Sequence, residues 1–235
     1  MWWKNKDSKF YPYQKEAWQS YITMTCDWQE PDILICNGDL IEGRQSKQGG
    51  AELITNDRNV QGDMATICLK RWNAKKIFIA YGSKYHVGDQ AEDFEYTIAQ
   101  KIGATIGGRL FIDIEGFMLD CRHKLGTSRI PHGRATALLK AMMWNLVKSG
   151  LDAEPKVNMI IRSHAHYYMW IEQAGRAMMI TPSLQLARGR FGSRECEGEV
   201  NWGAIKLQID KGKLIGKEAR IWKLKANRLP VHKVK

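Results

Sequence analysis

Three short apolar runs, each cut off by turn-forming residues, constrain this chain more than any other feature. Ile33-Leu34-Ile35-Cys36 stops at Asn37-Gly38-Asp39. Lys76-Ile77-Phe78-Ile79-Ala80 leads into a loop opening at Gly82, and Asn158-Met159-Ile160-Ile161 delivers Arg162-Ser163-His164-Ala165-His166 to its end. Runs this short and continuous suit strands covered on both faces. The segments between them carry helical spacing instead. Ala17, Trp18, Tyr21, Ile22, Thr25 and Trp28 predict a helix over about Tyr13 to Trp28. Met64, Ile67, Cys68 and Trp72 predict another over Asp63 to Trp72, a third is expected over Glu92 to Ile102, and Ala137, Leu138, Ala141, Met142, Asn145 and Leu146 share a face over Arg134 to Lys148. A chain that alternates in this way must lay helices over a sheet whose strands end in polar loops.

The pattern changes toward the C-terminus. Leu110 to Ile114 and Phe117 to Cys121 read as short strands about Glu115-Gly116. Tyr168 to Glu172 pairs with Ala177 to Ile180 across Ala174-Gly175-Arg176, and Ala204 to Ile209 with Leu214 to Trp222 across Asp210-Lys211-Gly212. Strand-helix alternation followed by hairpins predicts an α/β fold in which a mixed sheet packs on a second sheet with helices outside. The 235 residues carry no Pro/Gly-rich linker or internal repeat, so one domain spanning 1–235 is expected, with residues 1–12 as a lead-in and 223–235 as a basic tail.

Composition excludes several classes. No apolar run approaches the ~18 residues of a membrane-spanning helix, and the start, Met1-Trp2-Trp3-Lys4, lacks the apolar stretch of a signal peptide, so a cytoplasmic chain with no membrane partner is expected. The five cysteines form no Cys-x-x-Cys pair, which argues against a zinc ribbon or a disulfide framework and for reduced, mostly buried thiols. Lys and Arg exceed Asp and Glu by 11, a surplus that suits a polyanion or a phosphate ester.

Asp39, His86, His123, His164 and His166 all fall in loops directly after predicted strands, where α/β sheets assemble their sites. In an extended segment, residues two apart point the same way, so His164 and His166 could face one or two metal ions together. The order of these motifs resembles the calcineurin-like metallophosphoesterase superfamily: Gly38-Asp39 after a strand, Gly82-Ser83-Lys84-Tyr85-His86-Val87-Gly88 after the next, then His123, then His164-Ala165-His166. The likeness covers roughly Tyr13 to Ile209. It is nearest to the bacteriophage and prophage branch, in which Gly-Ser/Thr-x-x-His-x-Gly replaces the usual Gly-Asn-His and a stretch like Thr181-Pro182-Ser183-Leu184-Gln185 follows the His-x-His hairpin.

The resemblance implies a four-layer α-β-β-α sandwich of two mixed sheets and a metal-dependent phosphoesterase, a hydrolase acting by metal-activated hydroxide. By that resemblance Asp39 bridges two divalent metals, His123 and His164 bind the second and His166 the first. Ser83 stands near the usual asparagine ligand as a weaker metal or phosphate contact, and His86 contacts phosphate and protonates the leaving oxygen. Histidine and carboxylate ligands suit manganese, iron or zinc. The superfamily also opens with a strand ending in Asp-x-His, and no Asp-x-His occurs in this sequence. The resemblance therefore implies that this strand is missing, that the first metal site is incomplete, and that activity in this form is weak.

Plainer readings stand beside these. Asp39 could cap a turn, His123 could be a surface histidine in a basic loop, and His132 and His232 suit a turn leading into a helix and a solvated tail. Arg188 and Arg190, in Arg188-Gly189-Arg190-Phe191-Gly192-Ser193-Arg194, could bind phosphate or belong to a solvated loop. The Trp-rich start suits core packing better than base stacking. The basic balance favours a phosphodiesterase, possible nuclease, acting on nucleic acid. The alternative is a noncatalytic nucleic-acid-binding or phage-associated protein that keeps the fold, in the host-cell cytoplasm if phage encoded.

Overall fold

The computed structural model describes residues 9–45, 50, 53–87, 93–126, 128, 130–186 and 199–225. Helix α1 (Tyr11–Asp27) has Pro12 in its first turn, where a missing amide hydrogen costs nothing. Strand β1 (Ile33–Cys36) follows. Helix α2 (Arg58–Lys70) starts five residues before the spacing predicted, because Asp57 caps it by accepting from the amides of Asn59 and Val60. Strand β2 (Lys76–Ala80) leads to the single turn α3 (Lys84–Val87), and helix α4 (Phe94–Ile102) lies between the Asp93 cap and left-handed Gly103.

Strand β3 (Thr105–Gly107) then joins β1 and β2 in a parallel sheet ordered β1-β2-β3, with Ile33 opposite Lys76 and Phe78 opposite Thr105. The second sheet holds β4 (Leu110–Ile114), β5 (Phe117–Arg122), β6 (Met159–Arg162), β7 (Met169–Gln173) and β8 (Arg176–Ile180) in the order β4-β5-β6-β8-β7. Its three inner strands are parallel and its outer pairs antiparallel. Helix α5 (Thr136–Gly150) is the crossover between β5 and β6. Strands β9 (Trp202–Asp210) and β10 (Lys213–Trp222) form an antiparallel ribbon.

Alternation along the strands divides the core into layers. Ile35 and Phe78 of the first sheet meet Leu119, Cys121, Met159, Ile161 and Met179 of the second, and Ile205, Leu207 and Ile209 of the ribbon close the same core. Leu34 and Cys36 point the other way, onto Leu69 of α2 and Ile98 of α4. On the opposite side Ile160, Met178 and Ile180 pack against Leu138 and Met142 of α5. The order helix, sheet, sheet, helix is the four-layer α/β sandwich. Tyr21, Met24, Trp28, Trp72, Trp202 and Leu224 form a further cluster that ties α1 to the ribbon, so Leu224 belongs to the core and not to a solvated tail.

One polar network crosses the second sheet. Asp120, fully buried, accepts from Arg109 Nε (2.9 Å), Arg109 Nη2 (2.8 Å) and Arg162 Nη2 (2.6 Å), while Arg162 Nη1 donates to the carbonyls of Asp120 and Ile161. Burial alone would raise the Asp120 pKa, but the two guanidinium groups outweigh it and hold the carboxyl below its usual range. Cys121 is buried, Cys36 and Cys68 half-buried and Cys26 exposed, so the thiols are less buried than expected; all four are unbridged, and Cys196 lies outside the described residues. Among the described residues no helix is long and apolar enough to cross a membrane.

Candidate metal centre

Three loops from the strand ends nest against one another. After β1, Gly38 (φ +90°) and Asp39 (φ +57°) turn the chain through the left-handed region. A side chain on Gly38 would lie 2.6 Å from His123 Nδ1 and 2.7 Å from the Gly82 Cα, and one on Gly82 would collide with the Asp39 amide and carboxylate. Only glycine allows the β1, β2 and β5 loops to approach so closely.

The turn aims Asp39 inward. Its Oδ1 accepts from the Ser83 amide (2.6 Å) and hydroxyl (3.1 Å). Its Oδ2 lies 2.9 Å from His123 Nε2 and 4.0 Å from His86 Nε2, buried and with no donor directed at it. His123, only 3% exposed, is no surface residue: Nδ1 sits 2.6 Å from the Asn37 carbonyl and Nε2 is 3.2 Å from His164 Nδ1. Since a carbonyl can only accept, Nδ1 of His123 carries the hydrogen, and in the neutral ring Nε2 presents a lone pair. That lone pair faces a carboxylate oxygen and a second imidazole. Such a convergence is repulsive until a cation or a proton sits among the three groups, and tying the distal ring N–H to a backbone carbonyl is the usual preparation of a histidine ligand.

The ligand atoms of Asp39, His123 and His164 lie within 4.8 Å of one another. Three protein ligands of this kind fit a divalent ion that keeps an open position. Burial pushes the Asp39 pKa upward, yet His123 and the Ser83 amide overcome it and hold the carboxyl below its usual range. Burial works against charge on His123 as well, but the Asp39 carboxylate and the Asn37 carbonyl raise its pKa overall. His164 is lowered by burial and then by the neighbouring His123, and burial pushes His166 down to about 4. Both are therefore neutral at pH 7, the form that binds metal.

The His-x-His segment is not extended as the spacing predicted. His164 (φ +72°) and His166 (φ +61°) both adopt left-handed backbone. The loop is held by the Ser163 amide to the His123 carbonyl (2.9 Å) and the Asn201 amide to the His166 carbonyl (2.8 Å). His164 enters the triad and His166 does not. His86 sits on α3, with Nδ1 3.1 Å from the Glu42 carbonyl, which turns Nε2 toward Asp39. Ser83 contacts Oδ1 of Asp39, the oxygen away from the histidines. Arg188 and Arg190 lie outside the described residues, as does His232, and His132 stays exposed in the 3-10 turn Pro131–Gly133.

Sequence reasoning missed Glu95. It is fully buried at the start of α4, where its Oε1 accepts from the Leu40 amide (3.0 Å) and its Oε2 from the Gly82 amide (2.7 Å), clamping the two loops that carry Asp39 and Ser83. The Asp93 cap two residues earlier was the available signal, since it places Glu95 in the first turn. Burial, with a smaller contribution from Asp39, pushes its pKa up to about 7. The folded chain thus holds this proton more tightly than the unfolded one, so the stability that Glu95 contributes is fully present at low pH and is lost as pH rises from about 4.5 to about 7, while His166, pushed down to about 4, acts in the opposite sense over much of that range. The full shift corresponds to about 3 kcal/mol. Urea midpoints measured with chelator across that range isolate the effect as a difference: the wild type should lose stability relative to Glu95→Gln as pH rises from about 4.5 to about 7.

Comparison with known proteins bears on the fold. No protein-family profile and no curated protein sequence matches the chain. Among solved structures, a novel archaeal phosphodiesterase superposes with a TM-score of 0.50 at 13% identity, covering 89% of this chain and 93% of its own. A single mutant of Vps29 from Entamoeba histolytica gives a TM-score of 0.47 at 15% identity, covering 87% and 89%. A conserved protein of Streptococcus pneumoniae described as a predicted phosphoesterase gives 0.35 at 10%, covering 80% and 97%. The chain shares its four-layer α/β sandwich fold with the archaeal phosphodiesterase.

Proposed function

We propose that this protein is a divalent-metal-dependent phosphodiesterase whose substrate is nucleic acid. The observation that carries the reading is the convergence of Asp39 Oδ2, His123 Nε2 and His164 Nδ1, with the far ring nitrogen of His123 tied to the Asn37 carbonyl. When bound there, a divalent ion supplies positive charge toward phosphoryl oxygens and acidifies water at neutral pH. Manganese, iron or zinc suits the donor set. The chain does the rest. Ser83 fixes the Asp39 carboxylate, Glu95 holds the two loops in register, and His86, with Nδ1 donating to the Glu42 carbonyl, aims Nε2 into the site, from which its imidazolium form would pass a proton to the leaving ester oxygen. The surplus of 11 positive charges favours a polyanionic diester over a small neutral one. The spacing from Gly82 to Gly88 supports the phage-type branch, and a second ion would rely on Asp39 and His166.

The test supplies manganese or zinc to the full chain and follows hydrolysis of a chromogenic phosphodiester and of DNA. His86→Ala should lower turnover by about 100-fold while leaving metal affinity nearly unchanged, because histidine acid catalysis contributes that much and this ring is not in the ligand triad. Unchanged turnover in that variant would remove His86 from the mechanism. One observation favours the noncatalytic alternative: among the described residues the ligand atoms that converge within 4.8 Å are those of Asp39, His123 and His164, and His166 borders the triad without joining it. Salt-sensitive DNA binding without metal-dependent hydrolysis would establish that alternative.

A further inference from the structure

Helix α5 buries Leu138, Met142 and Asn145 against the second sheet, yet its outer face is not that of a solvated helix. Leu139 is 39% exposed, Met143 57%, Trp144 50%, Leu146 45% and Val147 47%, with Leu151 following at 73%. At 100° per residue these six fall within an arc of about 160°, interrupted by a single charge, Lys140. Elsewhere among the described residues, large exposed apolar side chains are scattered. The α5 face presents on the order of 600 Å² of apolar side chain, as large as the largest patches of ordinary monomers and close to the ~800 Å² per partner of a standard interface.

We propose that this face is the interface of a homodimer in which the α5 helices of two copies pack antiparallel about a two-fold axis. Area and charge both point to a second copy. Lys140 is exposed near the N-terminal end of the stripe and Asp152 just beyond its C-terminal end, and neither side chain has a hydrogen bond or ion pair among the described residues. A two-fold axis near Leu146 brings Lys140 of each copy to Asp152 of the other, forms both pairs at once, and opposes the two helix dipoles. With 11 surplus positive charges on the chain, a face with one lysine brings two copies together at less electrostatic cost than a basic face would.

Sedimentation velocity and light scattering on the full chain test the proposal independently of any hydrolysis. The wild type should be dimeric at micromolar concentration. Met143→Glu, at an exposed position where a charge does not disturb the fold, should weaken association by about 100-fold. Lys140→Asp and Asp152→Lys should each weaken it by about tenfold, and the two together should restore it. A wild type that stays monomeric overturns the proposal, whether another protein or the chain's own tail then covers the face. A dimer that survives Met143→Glu, or a double charge swap that fails to recover association, overturns it as well.

Discussion

Asp39→Asn is expected to lower metal-dependent hydrolysis of a phosphodiester by about a thousandfold or more while leaving the folded chain intact. The two effects separate because of what faces the Oδ2 position. The asparagine oxygen can still accept from Ser83 in place of Oδ1, and the amide nitrogen then stands where Oδ2 met the lone pair of His123. An N–H donor there replaces the repulsion with a hydrogen bond where His123 is neutral and loses the ion pair where His123 is protonated, so without metal the variant should match the wild type at high pH and be less stable at low pH. Metal binding itself suffers, since the triad loses its carboxylate. Calorimetric titration with manganese or zinc, and the rise in melting temperature on adding metal, report the loss directly. If the variant still bound metal and hydrolysed diester like the wild type, the triad would not be the metal centre.

Asp120→Ala should cost about 3–5 kcal/mol of stability, because it strands a buried guanidinium whose charge the interior cannot solvate. Arg162 is 5% exposed and its Nη2 depends on Asp120, while Arg109 reaches the same carboxylate but also has Glu154. Replacing both Asp120 and Arg162 with apolar residues should recover most of the loss, which urea unfolding of the single and double variants would show. The position of Arg162 makes this more than a stability measurement. It ends β6, immediately before Ser163 and His164, so the single variant should also loosen the loop that presents His164 and weaken metal binding.

Much of this arrangement was legible in the sequence. The strands Ile33–Cys36 and Lys76–Ala80 lie where the apolar runs and their flanking turns placed them, because a strand with little exposed surface leaves an apolar signature, whereas the edge strand Leu110–Ile114, with Phe111 and Asp113 exposed, was marked by the Glu115-Gly116 turn. Strand β3 left none: Thr105-Ile106-Gly107 is too short and too glycine-rich to announce itself, and only pairing with β2 defines it. The left-handed backbone at His164 and His166 is dictated by contacts to Asn201 and His123, far away in sequence. Glu95, Asp120 and Arg162 were hidden for a related reason. A charged residue in an element reads as solvated unless its partner is known, and here the partners are amides and guanidiniums brought in by tertiary packing.

The interlocked glycines at Gly38 and Gly82 bear on the order in which the molecule forms. The loops they join follow β1 and β2 of one sheet, and the loop against them, carrying His123, follows β5 of the other. Neither sheet can complete the centre alone, and the contacts involved span 41 to 126 residues of chain. Closing such long loops is entropically slow, so the centre is a late product of folding that appears when the two sheets dock. An ion captured there binds the docked state and not its separate halves, which makes metal uptake a clock for the final step of assembly.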